Sequence, residues 1–343
     1  MRTVDWRVNI LRGGVPFGTL AFSGAPTVYC SADDEIPLTF RGEFRRHEAM
    51  DYITDELQPV LILDGIEHPL GVYGVGSMYS RRNEAGVMYD SITAYDRTRR
   101  LRLAKLEQRE YWAAGTRYLD IVNELLTRAG IRMAVVEGTD AVLATDREDW
   151  DIGTPYLQII NDLLSEIAYD RIWFDLTGAA RVRAYRPPSP DRLDHIYREG
   201  DAVKVLGPEY RTELDIFDKP NVFIAILENP EYPEPLVRTA VNDAPASRIS
   251  TISRGLRIPT VLNVDNIADG DALQAWVDRV RDESMRTSEY AEISTVSLGG
   301  HGVGDLIGVQ LQDLNGIFRE TSWSLTLQVG AMMSHKLERV VVI

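Results

Sequence analysis

The segment that decides the fold is GTRYLDIVNELL at residues 115–126, because it returns as GTPYLQIINDLL at residues 153–164, a shift of 38 positions. Gly, Thr, Tyr, Leu, Ile, Asn and the final Leu-Leu pair are identical in place. Each copy spaces its apolar residues three to four positions apart, which is typical of one face of an amphipathic helix. The repeat therefore predicts two helices that present the same apolar stripe to a sheet or to each other.

The flanks of each copy predict where the two helices begin and which elements come after them. Thr116 and Thr154 are suited to cap the first N–H groups, and Pro155 suits the first helical position. A strand is expected at 131–136 after the first helix and a short hairpin at 171–176 and 180–185 after the second. Residues 104–190 are thus predicted to form two helix-plus-strand modules, at about 110–146 and 148–186, which end at the linker-like segment RPPSP.

Residues 1–103 are predicted to be a β domain. Val4, Trp6, Val8 and Ile10 alternate with polar residues, as in a strand with one buried face. Further strands are expected at 19–22, 27–30, 60–63, 70–75 and 87–95, with glycine-rich turns between them. Short strands with such frequent turns favour a sandwich or a barrel.

Residues 191–343 are predicted to be a second β domain with one inserted helix, capped by Asp271. Strands are expected at 221–227, 236–241, 291–298, 306–311, 317–329 and 337–343, with a hairpin turn at Asn315-Gly316. The predicted fold class is α+β and mostly β. Two tube-type β-barrel or sandwich domains flank the middle region of two repeated helix-plus-strand modules.

Charge and cysteine content exclude several kinds of function. The formal net charge of −15 disfavours a protein that grips nucleic acid, because phosphate binding depends on clustered Lys and Arg. No apolar run approaches the length of a membrane span, and the first residues lack the apolar core of a signal peptide, so no membrane insertion or Sec export is expected. Cys30 is the only cysteine, which rules out an intrachain disulfide and favours a small buried apolar role.

No constellation of residues indicates catalysis or a bound cofactor. The five histidines, at 47, 68, 195, 301 and 335, have no spacing that places two imidazoles on one metal. Glycines between Gly300 and Gly308 are predicted to form turns, because a phosphate loop would need a helix after them. The acidic pairs, such as Glu148-Asp149, are expected on solvated faces. We therefore expect no enzyme activity, no cofactor, and no catalytic, cofactor-binding or metal residues.

Two other features have both a structural and a functional interpretation. The basic run RTRRLR at 97–102 is expected to anchor acidic neighbours, with contact to a partner subunit as the alternative. Trp112, Tyr111 and Trp173 could form an exposed platform for a glycan, although large aromatic residues mostly serve packing.

The order of these parts resembles the baseplate or tail hub family of phages and phage-derived injection systems, the XkdQ/YqbQ-type tail proteins and relatives of late control protein D. The resemblance covers most of the chain. It rests on SITAYD at 91–96, the two Gly-Thr-x-Tyr-Leu-x-Ile helices, and a C-terminal series of motifs. That series is SRGLR at 253–257, the helix at 271–283, SEYAEI at 288–293, GDLIGV at 304–309 and GIFR at 316–319.

The resemblance implies two tube-like β domains in each chain and a homotrimeric ring of pseudo-sixfold symmetry. Such a ring would join the hexameric tail tube, or a distal tail protein, to a spike, fibre or tape-measure protein below. DNA would only pass through its lumen. The implied location is the virion tail tip or baseplate, after assembly in the host cytoplasm.

Two alternatives belong to other classes of protein. One is a tail-associated cell-wall hydrolase or endopeptidase. The other is a distal tail adaptor with glycan-binding modules, because the repeat helices are also similar to peptidoglycan-binding LysM modules. In those modules the start reads Gly-Asp-Thr-Leu, whereas here it is Gly-Thr-Arg-Tyr at 115 and Gly-Thr-Pro-Tyr at 153.

Overall fold

The chain is mostly β, with 42% of its residues in strands and 16% in helices, which confirms the predicted fold class. The computed structural model describes residues 3–200, 206–212, 218–227, 235–264, 267, 269–285, 289–312 and 314–340. The strands of the N-terminal region are β1 Val4–Arg12, β2 Val15–Thr19, β3 Thr27–Ser31, β4 Leu38–Arg45, β5 Glu56–Leu63, β6 Ile66–Pro69, β7 Tyr73–Arg82 and β8 Met88–Asp96.

The middle region contains the repeat helices and short strands. Its elements are α1 Thr98–Leu103, α2 Tyr118–Arg128, β9 Ala134–Val136, α3 Tyr156–Glu166, β10 Trp173–Phe174 and β11 Ala180–Val182, with a 3₁₀ turn at Pro190–Arg192. The C-terminal elements are β12 His195–Arg198, β13 Leu206–Thr212, β14 Val222–Leu227, β15 Leu236–Val241, α4 Thr251–Arg254, β16 Pro259–Val264, α5 Gly270–Ser284, β17 Glu289–Val296, β18 Leu306–Gln310, β19 Asn315–Thr326 and β20 Met332–Arg339.

One large sheet joins the two ends of the chain. Its strands run in the order β13-β17-β20-β19-β3-β4-β8-β7-β5-β1-β2, with β6, β12 and β18 attached beside this path. The link between the two halves is the antiparallel pairing of β19 with β3, in which Trp323 lies opposite Cys30. Because β19 has twelve residues, its first half pairs with β18 and its second half with β3, while β20 runs along its other edge. Residues 1–103 and 191–343 therefore share one continuous sheet.

The two repeat copies build a single apolar core, and each copy pairs with the segment that precedes the other. Buried residues from both helices, among them Ile121, Leu125, Ile159 and Leu163, pack in the same cluster. The segment before each copy pairs with the start of the other copy, through the bridges Lys105 with Pro155 and Arg117 with Val142. This reciprocal arrangement explains why the repeated stripe is so similar, since each helix meets the equivalent surface of its sister.

The threonines predicted to cap these helices lie one residue before the actual N-cap positions. The residues that precede the helical turns are Arg117 and Pro155, both extended, and neither helix has a side-chain cap hydrogen bond. Thr116 and Thr154 instead form tight turns, with their N–H groups donating to Ala113 O and Asp151 O. The extended residue between each threonine and its helix moves the hydroxyl away from the first helical N–H groups.

A small α/β unit lies within the C-terminal region. Strands β14, β15 and β16 form a separate three-stranded sheet, with β14 and β16 parallel, and α5 packs on it through Leu273 and Val277. Asp269, rather than the predicted Asp271, caps α5 by accepting hydrogen bonds from the N–H groups of Asp271 and Ala272. Parallel pairing requires a crossover connection, which is why this part of the sequence does not read as a simple β meander.

Several predicted strands are displaced. Of the strand predicted at 19–22, Thr19 is the last residue of β2, and Phe22 forms an isolated bridge with Phe44. The turn expected at Asn315-Gly316 lies earlier, since both residues already pair with β18, and Leu311 N–H donates to Leu314 O across the actual turn. The last predicted strand corresponds to β20, while its end at 341–343 lies outside the described residues. No helix in the part of the chain that the structure describes is long and apolar enough to cross a membrane.

Candidate functional site

The most unusual feature of the molecule is a buried cluster of histidines and carboxylates beside β19, the strand that links the two halves of the large sheet. Glu320 on β19 is at its centre, with its side chain fully buried. Its Oε2 lies 2.8 Å from His301 Nδ1 and its Oε1 lies 2.5 Å from His335 Nδ1. Three of the five histidines in the chain, namely His195, His301 and His335, are gathered around this carboxylate.

The position of Glu320 is set by the way β19 changes partners. The register between β19 and β20 shifts between Glu320 and Ser322. Glu320 N–H donates to Asp305 O, whereas Thr321 O accepts from Ala32 N–H in the N-terminal region. A register shift of this kind bends a strand and can redirect a side chain. Glu320 is therefore held at the point where the C-terminal strands meet those of the N-terminal region.

The hydrogen bonds around Glu320 determine its charge. Burial alone would raise the pKa of Glu320, but its hydrogen bonds with His301 and His335 outweigh that effect and hold its pKa below the usual range. Because an ionised carboxylate only accepts hydrogen bonds, both imidazoles must donate their Nδ1–H groups to it. The outer nitrogens are also engaged, with His301 Nε2 lying 2.8 Å from the Tyr197 hydroxyl and His335 Nε2 lying 2.8 Å from the Thr295 hydroxyl.

Two opposing effects act on the pKa of His335. Burial lowers its pKa against the opposing effect of Glu320. His335 Nε2 lies 2.8 Å from the Thr295 hydroxyl, which donates its own hydrogen to Val296 O at 2.9 Å. This side of the cluster is a closed set of hydrogen bonds in which each polar atom named has a partner.

The other side of the cluster is less complete. The ring of His195 stacks on that of His301, with centroids 3.8 Å apart and an angle of 9° between the planes. His195 Nε2 lies 3.3 Å from Asp305 Oδ2, but it is buried and has no hydrogen-bond partner among the described residues. Burial would lower the pKa of His195, yet the neighbouring carboxylates of Asp305, Glu320 and Asp194 raise it overall.

A cleft connects this side of the cluster to the surface. It has a volume of about 500 Å³ and lies between the short strands of the middle region and the loop from Gly300 to Asp305. Asp194 and Asp305 line it, together with Trp173 and Arg183 from the middle region. The carboxylate of Asp305 therefore faces both the cleft and His195.

The basic run at 97–102 anchors acidic neighbours, as one of its two interpretations predicted. Arg97 makes a bidentate interaction with the carboxylate of the buried Glu56. It also donates to Gly178 O in the middle region, at 2.7 Å. Arg100 lies 3.4 Å from Glu56, and Arg102 pairs with Glu35. This run thus fastens the first β region to the repeat modules.

The three candidate platform aromatics do not lie together on one exposed surface. Trp112 is buried in the repeat core and packs edge-on against Trp150. Tyr111 is 59% exposed and its hydroxyl donates to Asp146. Trp173 lies at the cleft, beneath the guanidinium of Arg183.

The single cysteine and the glycine-rich segment also have clear positions. Cys30 is buried in the core of the first β region, and burial raises the pKa of its thiol. Gly300 and Gly304 adopt positive φ angles in the loop between β17 and β18, which agrees with the predicted turns, whereas Gly308 lies within β18. That same loop brings His301 and Asp305 to the cluster, a role that the sequence did not predict.

Comparisons with known proteins show where this fold occurs. No protein-family model matches the sequence, and no curated protein matches it in sequence. A tail protein from Neisseria meningitidis MC58 has the same fold, with a TM-score of 0.67 and 13% identity over 98% of this chain and 97% of that one. The 43 kDa tail protein of prophage MuSo2 from Shewanella oneidensis has a TM-score of 0.64 and 12% identity over 98% of each chain.

A third similar structure comes from a secretion system. The E. coli c3393 protein is a component of the type VI secretion system and exhibits structural similarity to the T4 bacteriophage tail proteins gp27 and gp5. It has a TM-score of 0.50 and 11% identity, and the match covers 100% of this chain and 75% of that one. The chain thus has a fold found in phage tail proteins and in a type VI secretion component.

Proposed function

We propose that this chain is a structural hub subunit of the tail tip or baseplate of a phage tail or a phage-derived injection system. In this proposal three copies form a ring that joins the hexameric tail tube to a central spike or fibre. Residues 1–103, 104–190 and 191–343 are its three parts, with the two β parts forming the ring and the repeat modules outside it. The observation that carries the proposal is the likeness to tail proteins along almost the whole chain.

The way the sheet ends supports a ring. The strand path has two end strands, β2 and β13, and the outer edges of both have no strand partner within the described ranges. An edge strand offers a row of N–H and C=O groups to another chain. If β2 of one copy meets β13 of the next, the contact is head-to-tail, and such contacts close into a ring when the rotation between copies allows it.

The surface of β2 is consistent with such a contact. All five of its residues are at least partly exposed, and Val15 and Phe17 are 65% and 39% exposed. Apolar side chains on an open edge are an aggregation hazard unless they are covered. A neighbouring subunit would cover them in the ring.

The proposed partners are those that the position of a hub requires. Above the ring they are the tail tube or a distal tail protein, and below it a spike, fibre or tape-measure protein. DNA would pass through the lumen without being gripped, in keeping with the net charge of −15. The proposed site of action is the virion tail, and the proposed role needs matched surfaces rather than catalysis.

The first test is the mass of the purified full chain in solution, measured by native mass spectrometry or light scattering over a concentration series. We expect a trimer, either alone or after addition of the tail protein encoded beside it. A chain that stays monomeric with its tail partners and that cleaves peptidoglycan would contradict the proposal.

A matched pair of variants tests the route of ring closure. Val15→Lys places a charge on the exposed edge of β2, whereas Ile53→Lys places the same charge on a side chain that is 93% exposed in the segment between β4 and β5. We expect Val15→Lys to reduce the trimer fraction at a given concentration and Ile53→Lys to leave it unchanged. Equal trimer fractions in both variants would exclude β2 as the contact.

A further inference from the structure

The buried cluster contains two overlapping sets of groups that could hold a metal ion. One set is His195, His301 and Asp305, and the other is His301, Glu320 and His335. Within each set, one nitrogen or oxygen atom from every residue lies within 4.8 Å of the others. Imidazole nitrogens combined with a carboxylate oxygen are typical ligands of Zn²⁺ and similar divalent ions.

Three carboxyl groups lie in or beside the cluster. Glu320 has no exposed side-chain surface and lies between His301 and His335. Asp305 and Asp194 add two more carboxylates close to His195. Buried charges in proteins are paired or coordinate a metal, because an uncompensated charge in a low-dielectric interior is very costly.

The incomplete side of the cluster brings three possible ligand atoms close together. His195 Nε2 and Asp305 Oδ2 are 3.3 Å apart without a hydrogen bond between them. Two ligands that each lie about 2.0–2.1 Å from a tetrahedral zinc ion are themselves separated by roughly 3.3 Å. The third ligand atom lies within 4.8 Å of both. Because the rings of His195 and His301 are stacked with only 9° between their planes, the His195 ring has to turn before the lone pairs of both rings point at one ion.

On the other side of the cluster, Glu320 and His335 orient the ring of His301 through hydrogen bonds. A histidine that binds a metal through one nitrogen usually donates its other N–H to a carboxylate, which fixes the tautomer and the orientation of the ring. His301 has this arrangement, since its Nδ1 lies 2.8 Å from Glu320 Oε2 and its Nε2 faces the Tyr197 hydroxyl. Glu320 is itself held by His335.

We infer that His195, His301 and Asp305 bind one divalent transition-metal ion of the Zn²⁺ class, with Glu320 and His335 orienting His301. His301 Nε2 exchanges the Tyr197 hydroxyl for the ion. Asp305 faces the cleft, so the ion enters from there, and a water molecule from the cleft fills the fourth position. The ion ties β12 to the loop between β17 and β18, next to the strand that joins the two halves of the sheet.

The test uses the full-length chain after removal of metals with a chelator. Binding of ZnSO₄ is followed by calorimetry, and the metal content after dialysis is measured by mass spectrometry of the elements. We expect about one ion per chain, a rise in the melting temperature on adding zinc, and weaker binding as the pH falls through the range where histidine is protonated. Mg²⁺ and Ca²⁺ should not compete, because they prefer all-oxygen sites.

Four variants of the cluster and one control variant separate this site from other histidines. His195→Asn and His301→Asn should lose the bound ion, and Glu320→Gln should weaken binding by about 10–100-fold as a supporting residue. Tyr197→Phe removes only the hydroxyl that competes for His301, so it should bind zinc at least as tightly as the wild type. His47→Asn is the matched control, since His47 lies beside Phe17, outside the cluster, and its loss should leave binding unchanged.

Three results would overturn the inference. The first is a metal-free wild-type chain with no change in melting temperature at millimolar zinc. The second is retention of the bound ion by folded His195→Asn, which lies at the partly exposed edge of the cluster and tests the site even if His301→Asn fails to fold. The third is an equal loss of zinc in His47→Asn, which would show adventitious binding to histidines in general.

Discussion

Arg97 shows how one side chain joins two parts of the molecule. Its guanidinium holds both oxygens of the buried Glu56 on β5 and also donates to Gly178 O in the middle region. Among the described residues, Arg97→Ala would leave the Glu56 carboxylate with the longer contact to Arg100 alone. We expect a loss of about 2–3 kcal/mol in the free energy of unfolding, measured by urea denaturation.

The control for Arg97 is an exposed ion pair in the same region. Arg109 pairs with Asp151, and both side chains are mostly exposed. Arg109→Ala should therefore change the free energy of unfolding by less than about 0.5 kcal/mol. Similar losses in the two variants would show that the contacts of Arg97 to Glu56 and Gly178 contribute no more to stability than an exposed ion pair.

Asp96 gives a pH dependence of known sign. It is fully buried at the end of β8 and accepts hydrogen bonds from the N–H groups of Leu38 and Thr98, while burial raises its pKa to about 6. Since this pKa lies above the unfolded value of about 3.9, the favourable contribution is present below that value and is lost as the pH rises through 6. Asp96→Asn carries no charge at any pH. We expect Asp96→Asn to gain on the order of 3 kcal/mol relative to wild type between pH 4 and pH 7.

The measurement for Asp96 is the difference in unfolding free energy between the two proteins across this pH range. The N–H groups of Leu38 and Thr98 donate to different oxygens of Asp96, so Asn keeps only one of the two acceptors. The lost hydrogen bond lowers the stability of Asp96→Asn by an amount that does not depend on pH, and the test is therefore the change of the difference with pH. A constant difference from pH 4 to pH 7 would show that Asp96 is ionised in the fold over this whole range.

At the scale of elements, the repeat predicts matched responses from its two copies. Gly115 and Gly153 begin the copies with φ angles of +83° and +91°, and a Cβ at either position would meet no atom within 4 Å. Alanine at each position would thus cost only backbone strain, about 1–2 kcal/mol in each case. Gly138 has equal space but no positive φ, so Gly138→Ala should be nearly neutral.

Thermal unfolding of the three alanine variants tests the internal symmetry. Equal losses of melting temperature for Gly115→Ala and Gly153→Ala would agree with the reciprocal pairing of the two copies. A loss confined to one of them would show that the copies contribute unequally to their common core.

The repeat helices α2 and α3 were predictable from the sequence because their apolar stripe repeats, whereas the short helices α1 and α4 and some strands were not predicted. β4 was not predicted, since Gly42 and the charged residues around it interrupt the alternating pattern. Close packing accounts for the glycine at position 42, because a Cβ there would come within 2.8 Å of Pro26 and closer still to Phe44. Close packing between chain segments that are distant in sequence overrides the local pattern at such positions.

At the scale of the whole molecule, the sequence indicated the kind of fold but not the buried cluster. Spacing rules detect ligands that share one helix or one turn, whereas His195, His301, Glu320 and His335 come from three different strands and a loop. Their meeting depends on the register shift in β19 and on the pairing of β12 with β18. A charged residue at an inward position of a strand, as Glu320 is between the buried Phe318 and Trp323, was the only local signal of the cluster.

The net charge of the chain leads to the last prediction. With a formal charge of −15, the protein should not bind duplex DNA at physiological salt, where non-specific binders have Kd values of about 10⁻⁴–10⁻⁶ M. The one basic run offers little to phosphate, since Arg97, Arg100 and Arg102 are engaged with Glu56 and Glu35. Fluorescence anisotropy of a labelled duplex over a salt series checks this. Micromolar binding that weakens steeply with salt would mean that the subunits present a basic surface to DNA, which a passive conduit would not do.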